Sequence, residues 1–285
     1  MIDPDPSSDD ICDETGDVQL TGFRLLRRDR SSSGGLACWI ALPDRIDPAI
    51  APLVAVHGIH RDARTQATLF GHRVAEQGRV VIAPLFRYRH WRGYQQVYGK
   101  RRADHGLLAL LDELGATLPI DMSRFDLFGY SGGAQFAHRF AFAYPHRIVE
   151  LHLLAAGWYS FPDDEPYPYG LGLPVSPIPG FSPLLKASLG HFLSLPIRVY
   201  VGEQDNVVDE HVRSGAAIDR QQGLHRLERG RRWVNALCEL AQARGLDPDI
   251  SFQLLPDSGH DFKTCVERGG LIDAMMRTRS ALLHV

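Results

Sequence analysis

Ser131 stands in Gly129-Tyr130-Ser131-Gly132-Gly133, with a glycine two places to either side. That spacing suits a sharp turn from a strand into a helix. Without Cβ atoms at the flanking positions the chain can close, and the serine Oγ projects above the strand end. The helix that follows aims its partly positive N-terminus at the same place, which favours a developing oxyanion. The chemistry is attack on a carbonyl carbon. The bland alternative is a glycine-rich structural turn with an idle serine.

A serine hydroxyl is a poor nucleophile without a base, and the base needs a group to orient it. For a turn of this kind the partners are expected in the order Ser, acid, His. Asp205, in Gly202-Glu203-Gln204-Asp205-Asn206, sits where the acid belongs, with Glu203 and Asp209 as competitors. His260, in Pro256-Asp257-Ser258-Gly259-His260-Asp261-Phe262, sits in a glycine-containing loop before the last helix. Each has an ordinary reading too, as a turn aspartate and a surface histidine. An oxyanion hole needs two backbone N–H groups. Gly132 supplies one, and Ile59, in His57-Gly58-Ile59-His60, is assigned the other. Read as metal ligands, His57 and His60 lack both a helix and the glutamate of a His-Glu-x-x-His site. No metal and no cofactor are expected.

Elements of the right kind surround these residues. Phe23–Arg28 and Leu36–Leu42 read as an opening hairpin across the Ser31–Gly35 turn cluster. Pro52–Val56 is a short apolar run, as in a strand covered on both faces, Arg79–Phe86 reads as the next buried strand, and Phe125–Phe128, Ile148–Ala155, Ile197–Val201 and Ile250–Leu255 read as strands. Helical patterns fall between them at Thr65–Gln77, Arg102–Ala116, Ala134–Tyr144 and Leu227–Ala243, with a last one at Val266–Leu283. Alternation of this kind predicts an α/β fold: a mostly parallel, eight-stranded-type sheet with helices on both faces. Residues 158–183 break the alternation and are rich in proline and aromatic side chains. A lid insertion over about 158–194 is expected there, roofing the acyl or alcohol pocket; the bland alternative is a surface loop packed on the domain. Tyr130, Trp158, Tyr159 and Phe161 are its candidate substrate contacts.

Taken together, Val56-His57-Gly58, Gly129–Gly133, Gly202–Asp205 and Gly259-His260 resemble the α/β-hydrolase superfamily over roughly residues 20 to 285. Phe128–His138 and Ala155-Ala156-Gly157-Trp158-Tyr159 are similar to bacterial esterase-like proteins near the polyhydroxybutyrate depolymerase and feruloyl esterase branch. The resemblance implies a serine hydrolase. No signal peptide and no polymer-binding domain are read in the sequence, so a substrate unlike the extracellular polymer of secreted depolymerases is expected. Dehalogenases and epoxide hydrolases of this superfamily need an aspartate where Ser131 stands.

Composition agrees with one catalytic domain. The 285 residues are 44% hydrophobic, enough for a sizeable core, and a net charge of −3 calls for neither nucleic acid nor an anionic membrane. Residues 1–17 read as an acidic, mobile tail, and 18–285 as a single domain. With no basic and apolar leader, a cytoplasmic location is expected. The four cysteines form no Cys-x-x-Cys pair, so reduced structural thiols are expected, with Cys265 as a remote alternative nucleophile. Phe86–Arg102 is dense in cations and aromatics. It reads either as a solvated, ion-paired loop or as a contact for an anionic substrate group.

The leading function is hydrolysis of a small-molecule carboxylic ester through an acyl-enzyme. A thioesterase, an acyltransferase or a serine peptidase would use the same residues. A non-catalytic binding protein on the same fold is the alternative of a different class.

Overall fold

A computed structural model describes residues 16–29, 35–97, 101–173 and 181–282. The 1–15 part of the acidic tail, the Ser31–Gly34 part of the hairpin turn, Tyr98–Lys100 and residues 174–180 of the lid segment lie outside the described residues. The chain divides into two compact units, one ending at Val149 and the other beginning at Glu150.

The first unit holds β1 (Val18–Leu20), β2 (Phe23–Arg28), β3 (Ala37–Pro43), β4 (Leu53–Val56), β5 (Val81–Leu85) and β6 (Phe125–Tyr130). Their order is β1-β2-β3-β5-β4-β6. β1, β2, β3 and β5 pair antiparallel, and β4 then lies parallel to both β5 and β6. The parallel strand β4 is buried throughout, which is why it reads as an unbroken apolar run rather than an alternating one. The unit's helices are α1 (Ala63–Val74), α2 (Ala103–Gly115) and α3 (Gly132–Ala143), of which α1 and α3 pack on these strands. The Asp62 side chain accepts from the Thr65 N–H and caps α1. Every residue of α3 is buried, Gln135, His138 and Arg139 included.

The second unit holds most of β7 (Ile148–Leu154), with β8 (Ile197–Gly202) and β9 (Ile250–Leu255) parallel to it in that order. Its helices are α4 (Phe181–Leu193), α5 (Ala216–Gln222), α6 (Arg226–Ala243), α7 (Phe262–Glu267) and α8 (Leu271–Leu282). All but α6 depart from the sequence reading, which placed no helix at α4 or α5. α4 occupies part of the expected lid, and its Pro183 falls in the first turn, where a missing N–H breaks no helical bond. The helix expected over Val266–Leu283 is two helices. The chain turns at Gly269-Gly270, where Gly270 has φ +64°.

The described part of the lid segment is packed rather than loose. Trp158, Tyr159, Phe161, Tyr167 and Leu171 are all buried. Gln222 of α5 clamps Tyr159, accepting from its N–H and donating to its carbonyl, both at 2.9 Å. From α6, Arg229 donates to the Gly157 carbonyl and Trp233 to that of Ser160, both at 2.8 Å. The Tyr159 ring stacks on Trp233, with centroids 4.7 Å apart. Among the described residues, no helix is long and apolar enough to cross a membrane.

Candidate active site

Register in the first unit brings two loops together. β4 pairs with β6 from Leu53 opposite Asp126 to Val56 opposite Gly129. The two strands run parallel and end side by side, so the His57–His60 loop and the Ser131 turn leave the same strand end. Ser131 has φ +53° and ψ −112° and stands as the N-cap of α3. A non-glycine residue in this region is strained by about 1–3 kcal/mol, and such strain collects at functional turns. The glycines beside it are needed for space. A Cβ on Gly129 would fall on the Gly133 carbonyl, and one on Gly133 on the carbonyls of Val56 and His57. α3 therefore starts in direct contact with the end of β4.

The position a Cβ on Gly132 would occupy lies 3.5 Å from the Ile59 nitrogen. Thus the two residues assigned to the oxyanion hole are neighbours. The Tyr130 ring lies against Gly58. Beneath the loop, His57 is buried. Its Nδ1–H donates to the Gly58 carbonyl at 2.8 Å, and its Nε2 accepts from the Phe86 N–H at 3.0 Å. Those partners require a neutral imidazole with the proton on Nδ1. Tyr94 donates from its hydroxyl to the His57 carbonyl at 2.6 Å, and its ring stacks on Phe86. In the cation- and aromatic-rich segment, then, Phe86, Trp91 and Tyr94 are core, while Arg89 and Arg92 are exposed. Arg61 lies over the rings of Tyr88 and Tyr94.

Burial, with the nearby Arg61 charge adding to it, pushes the His57 pKa from 6.5 down to about 3. The unfolded chain takes up this proton near pH 6.5 and the folded chain does not. Stability linked to neutral His57 is thus full above that pH and is lost as pH falls toward 3. His57→Gln keeps a donor and an acceptor but no titrating proton. It is expected to lower stability at pH 7 by about 1–3 kcal/mol, and to lose less of what remains between pH 7 and 5 than the parent does. Urea melts at the two pH values measure both effects; equal pH slopes would remove His57 from this role. His138, also buried and held well below its usual pKa, supplies the slope that persists.

In the second unit, parallel pairing sets Gly202 opposite Leu255, so the loops after β8 and β9 leave together. A Cβ on Gly202 would meet the carbonyls of Ser258 and Gly259, so these loops lie in contact. They carry Asp205 and His260. The Asp205 Oδ2 accepts from His260 Nδ1–H at 2.8 Å. A carboxylate only accepts, so the imidazole proton belongs on Nδ1 and Nε2 is left with its lone pair. Asp205 is buried, Glu203 is exposed, and Asp209 is bonded to Arg226 instead. Burial pushes the Cys265 thiol up to about 11 and its Sγ donates to the Gly259 carbonyl, so it is no thiolate nucleophile.

The structure thus sets Gly132 beside Ile59 within one unit and joins Asp205 to His260 within the other. Trp158 and Phe161 are nearly covered, and Tyr159 has no exposed surface. Sequence reading missed Tyr94 and Gln222 as supports, and Arg226 as a partner of Asp205.

No family model and no curated protein sequence matches the chain. Solved structures do. Poly(aspartic acid) hydrolase-1 from Sphingomonas sp. KT-1 superposes with a TM-score of 0.73 at 21% identity, covering 90% of this chain and 97% of that one. A poly(3-hydroxybutyrate) depolymerase from Bordetella parapertussis gives 0.70 at 24% identity, covering 84% and 85%. An α/β hydrolase from Novosphingobium aromaticivorans gives 0.53 at 16%, covering 91% and 98%. The chain has the α/β-hydrolase fold, with nine mostly parallel strands among the described residues where the sequence suggested eight.

Proposed function

We propose that this chain is a serine hydrolase that cleaves carboxylic esters through an acyl-enzyme on Ser131. The observation that carries the reading is the left-handed backbone of Ser131 at the turn from β6 into α3. A nucleophile that must stand clear of the strand end accounts for a non-glycine residue at that strained position. In the proposed reaction Ser131 Oγ attacks the ester carbon and its proton passes to His260 Nε2. The N–H groups of Gly132 and Ile59 hold the oxyanion. His260 returns the proton to the departing alcohol. Water, deprotonated in turn by His260, then releases the acid. Asp205 keeps His260 in the required tautomer throughout. The geometry of Asp205 and His260 supports this assignment.

Two neighbours are named for poly(aspartic acid), a polyamide, and poly(3-hydroxybutyrate), a polyester, so the substrate panel must include both bond types. Ester cleavage leads because esters are the easier acyl donors for such a site. Labelling with a fluorophosphonate probe at pH 8 tests the reading. The parent should be labelled at Ser131. An unlabelled parent would favour a binding protein on this fold. Turnover of p-nitrophenyl esters, a thioester and an aminoacyl amide would then rank the bond types.

A further inference from the structure

Arg226 is the first residue of α6. In the structure its side chain is 1% exposed and lies between two carboxylates. Its guanidinium grips Asp209 with two bonds, Nη1–H to Oδ2 at 2.6 Å and Nη2–H to Oδ1 at 3.0 Å. The same Nη1 also donates to Asp205 Oδ1 at 3.1 Å. Asp205 thus uses one oxygen for Arg226 and the other for His260. Asp209 is itself fixed, since its Oδ1 accepts from the N–H groups of His211 and Val212.

Resting on the Ser131 reading above, we propose that Arg226 is a positioning residue for the Asp205–His260 pair, and that its pairing with Asp209 sets the charge His260 works against. A buried carboxylate with a single partner is free to rotate about χ2. Held at Oδ1, Asp205 keeps Oδ2 on His260. Its buried charge also gains a counter-charge, without which the desolvation cost falls on the carboxylate alone. A bare guanidinium so close would oppose an imidazolium, and Asp209 cancels that effect. Burial works against the Arg226 charge, but the bonds to Asp209 and the charge of Asp205 outweigh it and raise its pKa. Burial works likewise against the charged Asp209, and the Arg226 bonds and charge, with the His211 N–H and the His260 charge, hold its carboxyl low. Within this unit other charged or titrating groups here are Asp261, beside His260 in sequence, Cys265 and Tyr159, both of which feel Asp205, Lys263, which acts on Asp261, and Arg229, which feels the Arg226 charge and pairs with Asp219.

The signs follow. Arg226→Met removes a positive charge, favours imidazolium and moves the acid limb of kcat/KM up by about one pH unit. Asp209→Asn leaves Arg226 uncompensated and moves the limb down. The double variant returns it near the parent position. Arg226→Met should also lower kcat with KM for a neutral ester unchanged, and Arg226→Lys should restore part of the loss. The assay is p-nitrophenyl acetate hydrolysis from pH 5 to 9. The 15N titration of the His260 ring, assigned by its absence in His260→Gln, reads the same shifts without turnover. Opposite shifts in the two single variants support the proposal. Superimposed curves in folded variants overturn it and leave Arg226 a packing residue. If Arg226→Met does not fold, Asp209→Asn and Arg226→Lys carry the test. A parent that neither turns over the ester nor takes the fluorophosphonate refutes the Ser131 reading instead, and the ring titration still decides on Arg226.

Discussion

Ser131→Ala is expected to lower kcat/KM for a p-nitrophenyl ester by about a millionfold at pH 8, to the level left by binding and the oxyanion donors alone. The size of the loss comes from the role. Without Oγ there is no acyl-enzyme, and His260 has no hydroxyl to deprotonate. Serine and alanine differ by one oxygen, and Ser131 is 9% exposed with no capping bond from its side chain to α3. The variant should therefore fold, and its urea midpoint should lie close to the parent's. An inactive but equally stable variant is the signature of a nucleophile. A variant that keeps even a hundredth of the activity would move the chemistry to another group. Loss of activity together with loss of fold would say only that the turn is structural. In that event Ser131→Cys, which keeps a nucleophile at the same strained position, separates the two meanings.

Much of this arrangement was legible in sequence because it rests on local necessities. β4 is buried throughout and reads as an apolar run, and β8 is buried throughout although it carries Arg198, which pairs with Glu150 and Asp249. The turn at Ser131 is legible because only glycine fits where the chain meets itself, at Gly129 and Gly133. The loops after β8 and β9 carry their acid and histidine at the strand ends, where parallel register must bring them together. What stayed hidden depends on partners distant in sequence. Arg226 looks like any solvated arginine until the Asp205–Asp209 loop returns to it. Tyr94 sits among arginines and looks exposed, yet its hydroxyl is held by the His57 carbonyl across 37 residues. Gln222 ends a short polar helix with no apolar stripe to announce it, and its value lies in clamping Tyr159. The break at Gly269-Gly270 was visible as two glycines, but the apolar spacing continued through it and outweighed them.

Asp205→Asn is the second large effect, and it distinguishes Asp205 from the acids beside it. The expected loss in kcat/KM at pH 8 is about ten-thousandfold. The reasoning turns on a single proton. Asp205 accepts from His260 Nδ1–H, which leaves the lone pair on Nε2. An asparagine amide in its place can donate to Nδ1, which puts the imidazole proton on Nε2 and takes the base away from Ser131. Geometry is kept, since Arg226 still holds Asp209 and the loop still hangs from Gly202, whose carbonyl accepts from the residue 205 N–H. KM should hardly change, so the loss falls on kcat. Activity should climb with pH beyond the parent's plateau as hydroxide replaces the missing base. Glu203→Gln, at an exposed site on the same loop, should leave the kinetics within about twofold of the parent, as surface substitutions usually do. If instead Asp205→Asn keeps more than a tenth of the parent rate while Ser131→Ala is inactive, another acid orients the histidine. Asp209 is then the group to test, because it is the other carboxylate that Arg226 holds.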